Sequence, residues 1–379
     1  MKKNNLKFFY PNYFSYKLIA YVCLSLAEHM KSISFKPTVM GVASYKDARV
    51  AFYKDAIPPF LKNIAYRLFN NSALSYFAEY RFNKSVDKGD IVYLWPGSSI
   101  TLYKNIKKKG CIVVRENINT HTAYAKKILD AEHNRLDIKQ NNIISKDMIN
   151  AEMETQKYTD FTFSPSPLVS QSLVENGVSL ESLLPTSYGL RKSEILDNIT
   201  RNYEDDNYVT VIFVGTICVR KGAHLLLDAW SQAGIHGRLI LVGSIDDNIK
   251  EMVSAHLSEN ILHIPHVDNL KTVYADADIF VLPSLEEGSP LVTYLALGAG
   301  LPSIVSPMGG GGIINETEGF VIEPHDQTAW VNAIKTLASN GSLRRSMGEN
   351  ALSKAKEYTW DNVGKKRAQL LEEKLRVLS

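Results

Sequence analysis

Short continuous apolar runs alternate along the chain with longer stretches of helical spacing. In the first half, Leu6–Tyr10, Asp90–Trp95, Cys111–Arg115 and Tyr158–Phe163 read as strands. Phe14–Met30 and His121–Leu136 repeat their apolar positions every three or four residues and predict helices. The second half is more regular. Val209–Val214, Arg238–Val242, Ile261–Ile264, Ile279–Leu282, Pro302–Val305 and Gly319–Ile322 predict strands. Ala223–Ala233, Leu270–Ala275, Pro290–Gly298, Thr328–Ala338, Leu343–Thr359 and Asp361–Leu378 predict the intervening and closing helices. Runs without polar alternation suit strands buried on both faces, so an α/β fold with parallel sheets is expected. The polar segment 191–207 precedes the second array and predicts a linker. Domains are then expected over 1–190 and 208–360, with a last helix over 361–379. Gly309–Gly312 is expected to be a flexible loop after a strand.

Composition narrows the class. With 45% hydrophobic and 22% charged residues in 379, the chain is neither disordered nor a disulfide-stapled miniprotein. Three widely spaced cysteines form no CxxC pair, which fits a reducing cytoplasm. The N-terminus has basic residues but no continuous apolar region, so no signal peptide is expected. Its best apolar stretch, Leu18–Ala27, is about half the roughly twenty residues needed to span a bilayer. Charge is uneven. Residues 1–150 hold 24 Lys/Arg against 11 Asp/Glu, and residues 151–379 hold 19 against 29. A basic first half suits an anionic membrane or a nucleic acid, or simply carries solvated lysines.

Ligands of parallel sheets bind beyond the strand C-termini, so the loops there carry the candidates. The first runs Gly215-Thr-Ile-Cys-Val-Arg220-Lys221-Gly222 into a helix. Two cations at a helix start conflict with its dipole unless an anion joins them, and phosphate is the candidate. An ordinary surface Arg-Lys pair is the alternative. The second loop, Pro283-Ser284-Leu285-Glu286-Glu287-Gly288-Ser289-Pro290, sets two acids and a glycine before a helix. Its carboxylates either cap that helix or accept sugar hydroxyls. The third, Val114–His121, brings a histidine to a strand–helix junction, where a structural role is the alternative. Asp276-Ala-Asp278 resembles a metal-binding DxD but precedes a strand, at the sheet edge opposite the ligands; it reads as turn chemistry. GxGxxG after the first strand and a G-K-S/T loop are both missing, which weighs against nicotinamide enzymes and P-loop NTPases.

In their order, these segments resemble the retaining family-4 glycosyltransferases of GT-B fold. FVGTICVRKGAHLLLDAW, RLILVGS, VYADADIFVLPSLEEGSPLVTYLALGAGLPSIVS, EGFVIEPHDQTAWVNAIKTL and YTWDNVGKKRAQLLEEKL carry the likeness over nearly all of 208–379. RENINTHTAYAKKILDAEH, YTDFTFSPSPLVSQSLVENGV and SYGLRKS are similar to parts of the acceptor domain and linker entry. The resemblance implies two Rossmann-like doubly wound domains facing a cleft. It implies retaining transfer of a sugar from a nucleotide-diphosphate sugar to a glycan or lipid-linked acceptor, in polysaccharide or glycolipid biosynthesis. Arg220 and Lys221 match the basic loop at the diphosphate, and Glu287 the first glutamate of an E-x7-E motif at the transferred sugar. Gly288, Ser289, Pro290, Leu291 and Val292 match the turn whose amides meet sugar and phosphate. Gly215, Thr216, Gly243 and Ser284 are further donor-site positions, and His121 matches a histidine beside the reacting sugar. No metal or cofactor is expected, because fixed cations can stabilise the departing diphosphate.

Departures are specific. The second motif glutamate falls at Leu295, a usual arginine is Thr216, and a glycine-rich loop is replaced by Pro11-Asn12-Tyr13-Phe14. A non-catalytic scaffold that binds nucleotide or glycan is therefore the second reading. Lys54–Lys84 interleaves aromatic and basic residues. It is expected either at an anionic membrane surface, with the chain peripheral at the inner face, or as a core-facing helix pair. A nucleic-acid partner is not expected, since no recognised module is present.

Overall fold

A computed structural model describes residues 4–15, 18–32, 34–44, 50–141, 143–201, 203 and 208–378. The strands of the first half are β1 (Asn4–Tyr10), β2 (Phe35–Gly41), β3 (Tyr53–Asp55), β4 (Ile91–Leu94), β5 (Ile112–Glu116), β6 (Phe161–Ser164) and β7 (Leu183–Pro185). Those of the second are β8 (Val209–Val214), β9 (Gly237–Val242), β10 (Ile261–Ile264), β11 (Ile279–Leu282), β12 (Ser303–Val305) and β13 (Gly319–Val321). They form two sheets, ordered β3-β2-β1-β4-β5-β6-β7 and β10-β9-β8-β11-β12-β13, with neighbouring strands parallel throughout. Each is a doubly wound α/β unit. Its order reverses between β1 and β4, or between β8 and β11, and that is where such sheets bind ligands.

The central strands are buried on both faces, as their unbroken apolar runs require: β4, β8 and β11 have no exposed residue. β2, β3 and β7 do not stand out in the sequence pattern. β2 alternates buried and more open positions and carries Lys36 and Pro37, while β3 and β7 have three residues each.

Two chain crossings join the halves. Leu190 N donates to Tyr358 O at 3.0 Å, and Trp360 N donates to Leu190 O at 3.1 Å. The Trp360–Leu378 helix then lies against the Leu18–His29 helix of the first unit. Its Arg367 is buried against Glu116, Tyr93 and Tyr188. Leu196 N already donates to Gly298 O at 2.7 Å, so the 191–207 segment touches the second unit early. Residues 202 and 204–207 of that segment lie outside the described residues.

Gly309–Gly312 departs from the expected flexible loop. Gly309, Gly310 and Gly312 are buried. A Cβ on Gly309 would lie 2.5 Å from Leu282 O and one on Gly310 2.6 Å from Val305 Cγ2. The glycines serve close packing of backbone against β11 and β12.

Candidate functional site

The two loops at the switch point of the second sheet hold each other. After β8, Val219–Lys221 make one 3-10 turn and Gly222 takes a left-handed φ of 69°. A Cβ on Gly222 would stand 2.0 Å from Pro283 O, so only glycine lets the loops approach this closely. Leu285 N donates to Arg220 O at 2.8 Å, tying the second loop to the first.

This scaffold brings Arg220, Lys221 and Glu287 together. The Lys221 ammonium donates to Glu287 Oε1, and Arg220 Nη1 lies 3.0 Å from the same oxygen. Lys221 and Glu287 are both buried. Burial alone would raise the Glu287 carboxyl, but the two cations hold it below its ordinary range. Burial likewise opposes the Arg220 charge, and Glu287 and Glu286 more than offset it. The Lys221 stem lies over Gly215, where a Cβ would meet its Cδ and Cε at 3.2 Å.

A cavity of about 820 Å³ opens beyond Gly215, the residue on which the Lys221 stem rests. Gly215, Thr216, Gly243 and Val292 are on its wall, as is Leu295. That size and mixed lining suit a nucleotide. Ser284 and Ser289 are instead buried in the loop: Ser284 O accepts from Ser306 Oγ at 2.6 Å, and Ser289 Oγ pairs with Tyr294 OH at 2.7 Å. Pro290 ends the loop as the cap of the Leu291–Gly298 helix. Asp278, expected to serve a turn, instead accepts from Thr210 N of β8 at 2.7 Å, joining the start of β11 to its neighbour at the sheet edge opposite the cavity.

The first unit closes on this loop. Glu286 Oε1 accepts from Thr120 Oγ1 at 2.6 Å and from Thr120 N at 3.2 Å. A Cβ on Gly288 would lie 1.7 Å from Ile118 O. Glu286 thus bridges the units, a role no local motif announces. A second cavity, about 310 Å³, lies at this junction with Asn119, Thr120, Arg220 and Glu286 on its wall.

His121, expected beside a reacting sugar, is on the wall of neither cavity. It is fully buried as the cap of the Thr122–Leu136 helix, where Nδ1 accepts from Ala123 N at 3.1 Å. Nε2 points to Glu152, 3.8 Å away. Burial lowers the imidazole's basicity, which Glu152 only partly restores. Further along that helix, Glu132 reaches the second unit. It meets His224 Nε2 at 2.6 Å and His325 Nε2 at 3.4 Å.

Comparison with known proteins bears on the whole chain. Residues 208–340 match the family model described as glycosyl transferases group 1. A D-inositol 3-phosphate glycosyltransferase of Corynebacterium kroppenstedtii is 31% identical over 111 residues, 29% of this chain and 25% of that protein. The capsular polysaccharide biosynthesis glycosyltransferase CapM of Staphylococcus aureus is 29% identical over 155 residues, 38% of this chain and 40% of that protein. The chain thus matches less than half the length of these curated relatives. The fold extends further. Sucrose-phosphate synthase from Thermosynechococcus elongatus superposes with a TM-score of 0.72 at 17% identity, covering 100% of both chains. Anabaena HepE, solved with UDP and glucose, gives 0.69 at 15% identity over 98% of this chain and 100% of its own. The second unit thus matches the glycosyl transferases group 1 over residues 208–340, and the whole chain has the two-domain GT-B fold.

Proposed function

We propose that the chain transfers a sugar from a nucleotide-diphosphate sugar to a glycan or lipid-linked acceptor, with retention at the anomeric carbon, in polysaccharide or glycolipid biosynthesis. The reading rests on Arg220, Lys221 and Glu287 meeting one another, with the Lys221 stem packed on Gly215 of the large cavity's wall. The nucleotide lies along Gly215, Thr216, Gly243 and Val292. Its diphosphate takes the Lys221 and Arg220 cations, with backbone amides of the Gly288–Val292 turn beside them. Fixed cations in a water-poor site stabilise the charge that grows on the leaving diphosphate. As Lys221 turns to the phosphate, the Glu287 carboxylate becomes available to accept hydroxyls of the transferred sugar. The acceptor approaches from the first unit, and the chain works at the cytoplasmic, anionic face of a membrane.

A panel of nucleotide sugars tests this with the full chain: binding, slow hydrolysis or transfer of at least one is expected. Failure of all three would refute it. Leu295 favours one rival, a scaffold that binds without turnover. It places an aliphatic wall where the resembled motif has an acid. Tight nucleotide binding with no transfer or hydrolysis would select that rival.

A further inference from the structure

The segment from Pro59 to Ser85 is neither fully core-facing nor fully polar. Among the described residues, seventeen large hydrophobic side chains are exposed, and eight of them fall between Phe60 and Tyr80. Phe60, Leu68 and Tyr76 are 79%, 68% and 70% exposed. In the Asn71–Ser85 helix, Leu74, Ala78 and Phe82 face the core. On the opposite arc stand Tyr76, Phe77, Tyr80, Arg81 and Lys84, all exposed and within about 140° of one another at 3.6 residues per turn. The Lys62–Leu68 helix adds Ile64, Arg67 and Leu68, and Phe69 follows. Between 56 and 86 the sole acidic residue is Glu79. It is buried, accepting from Ser99 N at 2.7 Å.

The geometry points to this surface as a docking site for an anionic lipid bilayer. Contiguous apolar patches of this kind mark interaction sites. Aromatic and aliphatic tips flanked by cations, with no exposed carboxylate, suit the boundary between lipid headgroups and acyl chains. A second copy is the poorer occupant, because self-pairing of this face would bring two sets of Arg67, Arg81 and Lys84 together with no exposed carboxylate from 56–86 to offset them. Placement agrees. Ser75 Oγ donates to Pro11 O at 3.2 Å and Lys62 Nζ to Tyr13 OH at 2.7 Å, so the patch adjoins the loop after β1. That loop lies at the ligand edge of the first sheet. The purpose of docking rests on the reading of the acceptor as lipid-linked; the docking itself does not.

The test is cosedimentation of the full chain with vesicles of phosphatidylcholine alone or with a third of it replaced by phosphatidylglycerol. Binding should favour the anionic vesicles and weaken at high salt. Arg67→Glu with Lys84→Glu should cut partitioning on the order of tenfold or more. Phe60→Ser with Leu68→Ser and Phe69→Ser should abolish it, while thermal midpoints and nucleotide binding persist, since these side chains are exposed. Wild-type chain that ignores anionic vesicles, or binding untouched by both variant sets, would overturn the proposal. So would a dimer without lipid affinity that the apolar set dissociates. None of these readouts depends on turnover, so a failed transferase assay and a failed docking assay remain separable.

Discussion

Lys221 donates to Glu287 across the two loops that follow β8 and β11, with Arg220 3.0 Å from the same carboxylate oxygen. Lys221→Ala leaves Glu287 one cation, so the fold should lose only about 1–2 kcal/mol. Turnover should fall further, on the order of 10²–10³-fold, because a donor to the developing charge is gone. Denaturant unfolding and steady-state kinetics on one preparation separate the two. Comparable free-energy losses in both would remove the phosphate role.

Leu295 shares the large cavity with Thr216 and Gly243. Leu295→Glu would place a carboxylate on that wall. If the ribose lies there, nucleotide affinity should rise roughly tenfold, as a charged hydrogen bond of about 1.5–3 kcal/mol is partly offset by desolvation. Calorimetry with a nucleoside diphosphate reads this directly. Unchanged or weaker binding would move the ribose elsewhere.

Which features were legible in sequence follows from their range. β8 and β11 announce themselves because strands packed on both faces tolerate no polar alternation. Arg220, Lys221 and Glu287 were legible because switch-point loops start and stop with Gly and Pro. β2 was not, since Lys36 and Pro37 interrupt it. The burial of His121 depends on Ser172 and Glu152, brought in from other elements. The bridge from Glu286 to Thr120 spans 166 residues and exists only when the two units meet. The exposed arc of the Asn71–Ser85 helix was half legible: its composition was visible, but which side faced water was not.

Gly288 abuts Ile118 O, where a Cβ would stand at 1.7 Å. Gly288→Ala must separate the 286–289 loop from the 118–120 loop and stretch the Glu286–Thr120 bond. Transfer should drop at least tenfold, because small misplacements at a reacting centre are expensive. Nucleotide binding should fall less than transfer, since Gly215, Thr216 and Gly243 on the cavity wall are untouched and only the diphosphate end meets the Gly288–Val292 turn. A kinetic and binding comparison decides it, and equal losses would show that the turn acts through nucleotide binding alone.

Arg367 and Glu116 are fully buried, 2.7 Å apart, with Tyr93 and Tyr188 hydroxyls sharing the carboxylate. Glu116→Gln leaves a guanidinium without its counter-charge and should cost about 3–5 kcal/mol. Replacing both, Glu116→Leu with Arg367→Met, should cost less than either single change, since no charge remains buried. Urea titrations of Glu116→Leu, Arg367→Met and their combination give the coupling energy. A simple sum of the single effects would show that the pair does not tie the last helix to the first unit.

Glu132 carries the pH dependence of the contact between the units. Burial raises its carboxyl, but His224, Arg135 and His325 outweigh that and bring it down to about 2. The folded value lies below the unfolded one. Its contribution is therefore complete above about pH 4.5 and disappears as pH falls toward 2. Arg135 and His325 are half exposed, so water screens part of the effect. A contribution of about 1–2 kcal/mol is expected after that discount. Stability of the wild type should decline across this acid window, and Glu132→Gln should flatten the decline while lowering stability at neutral pH. Unfolding free energies measured at several pH values would check it; an unchanged acid slope in Glu132→Gln would assign the dependence to other carboxylates.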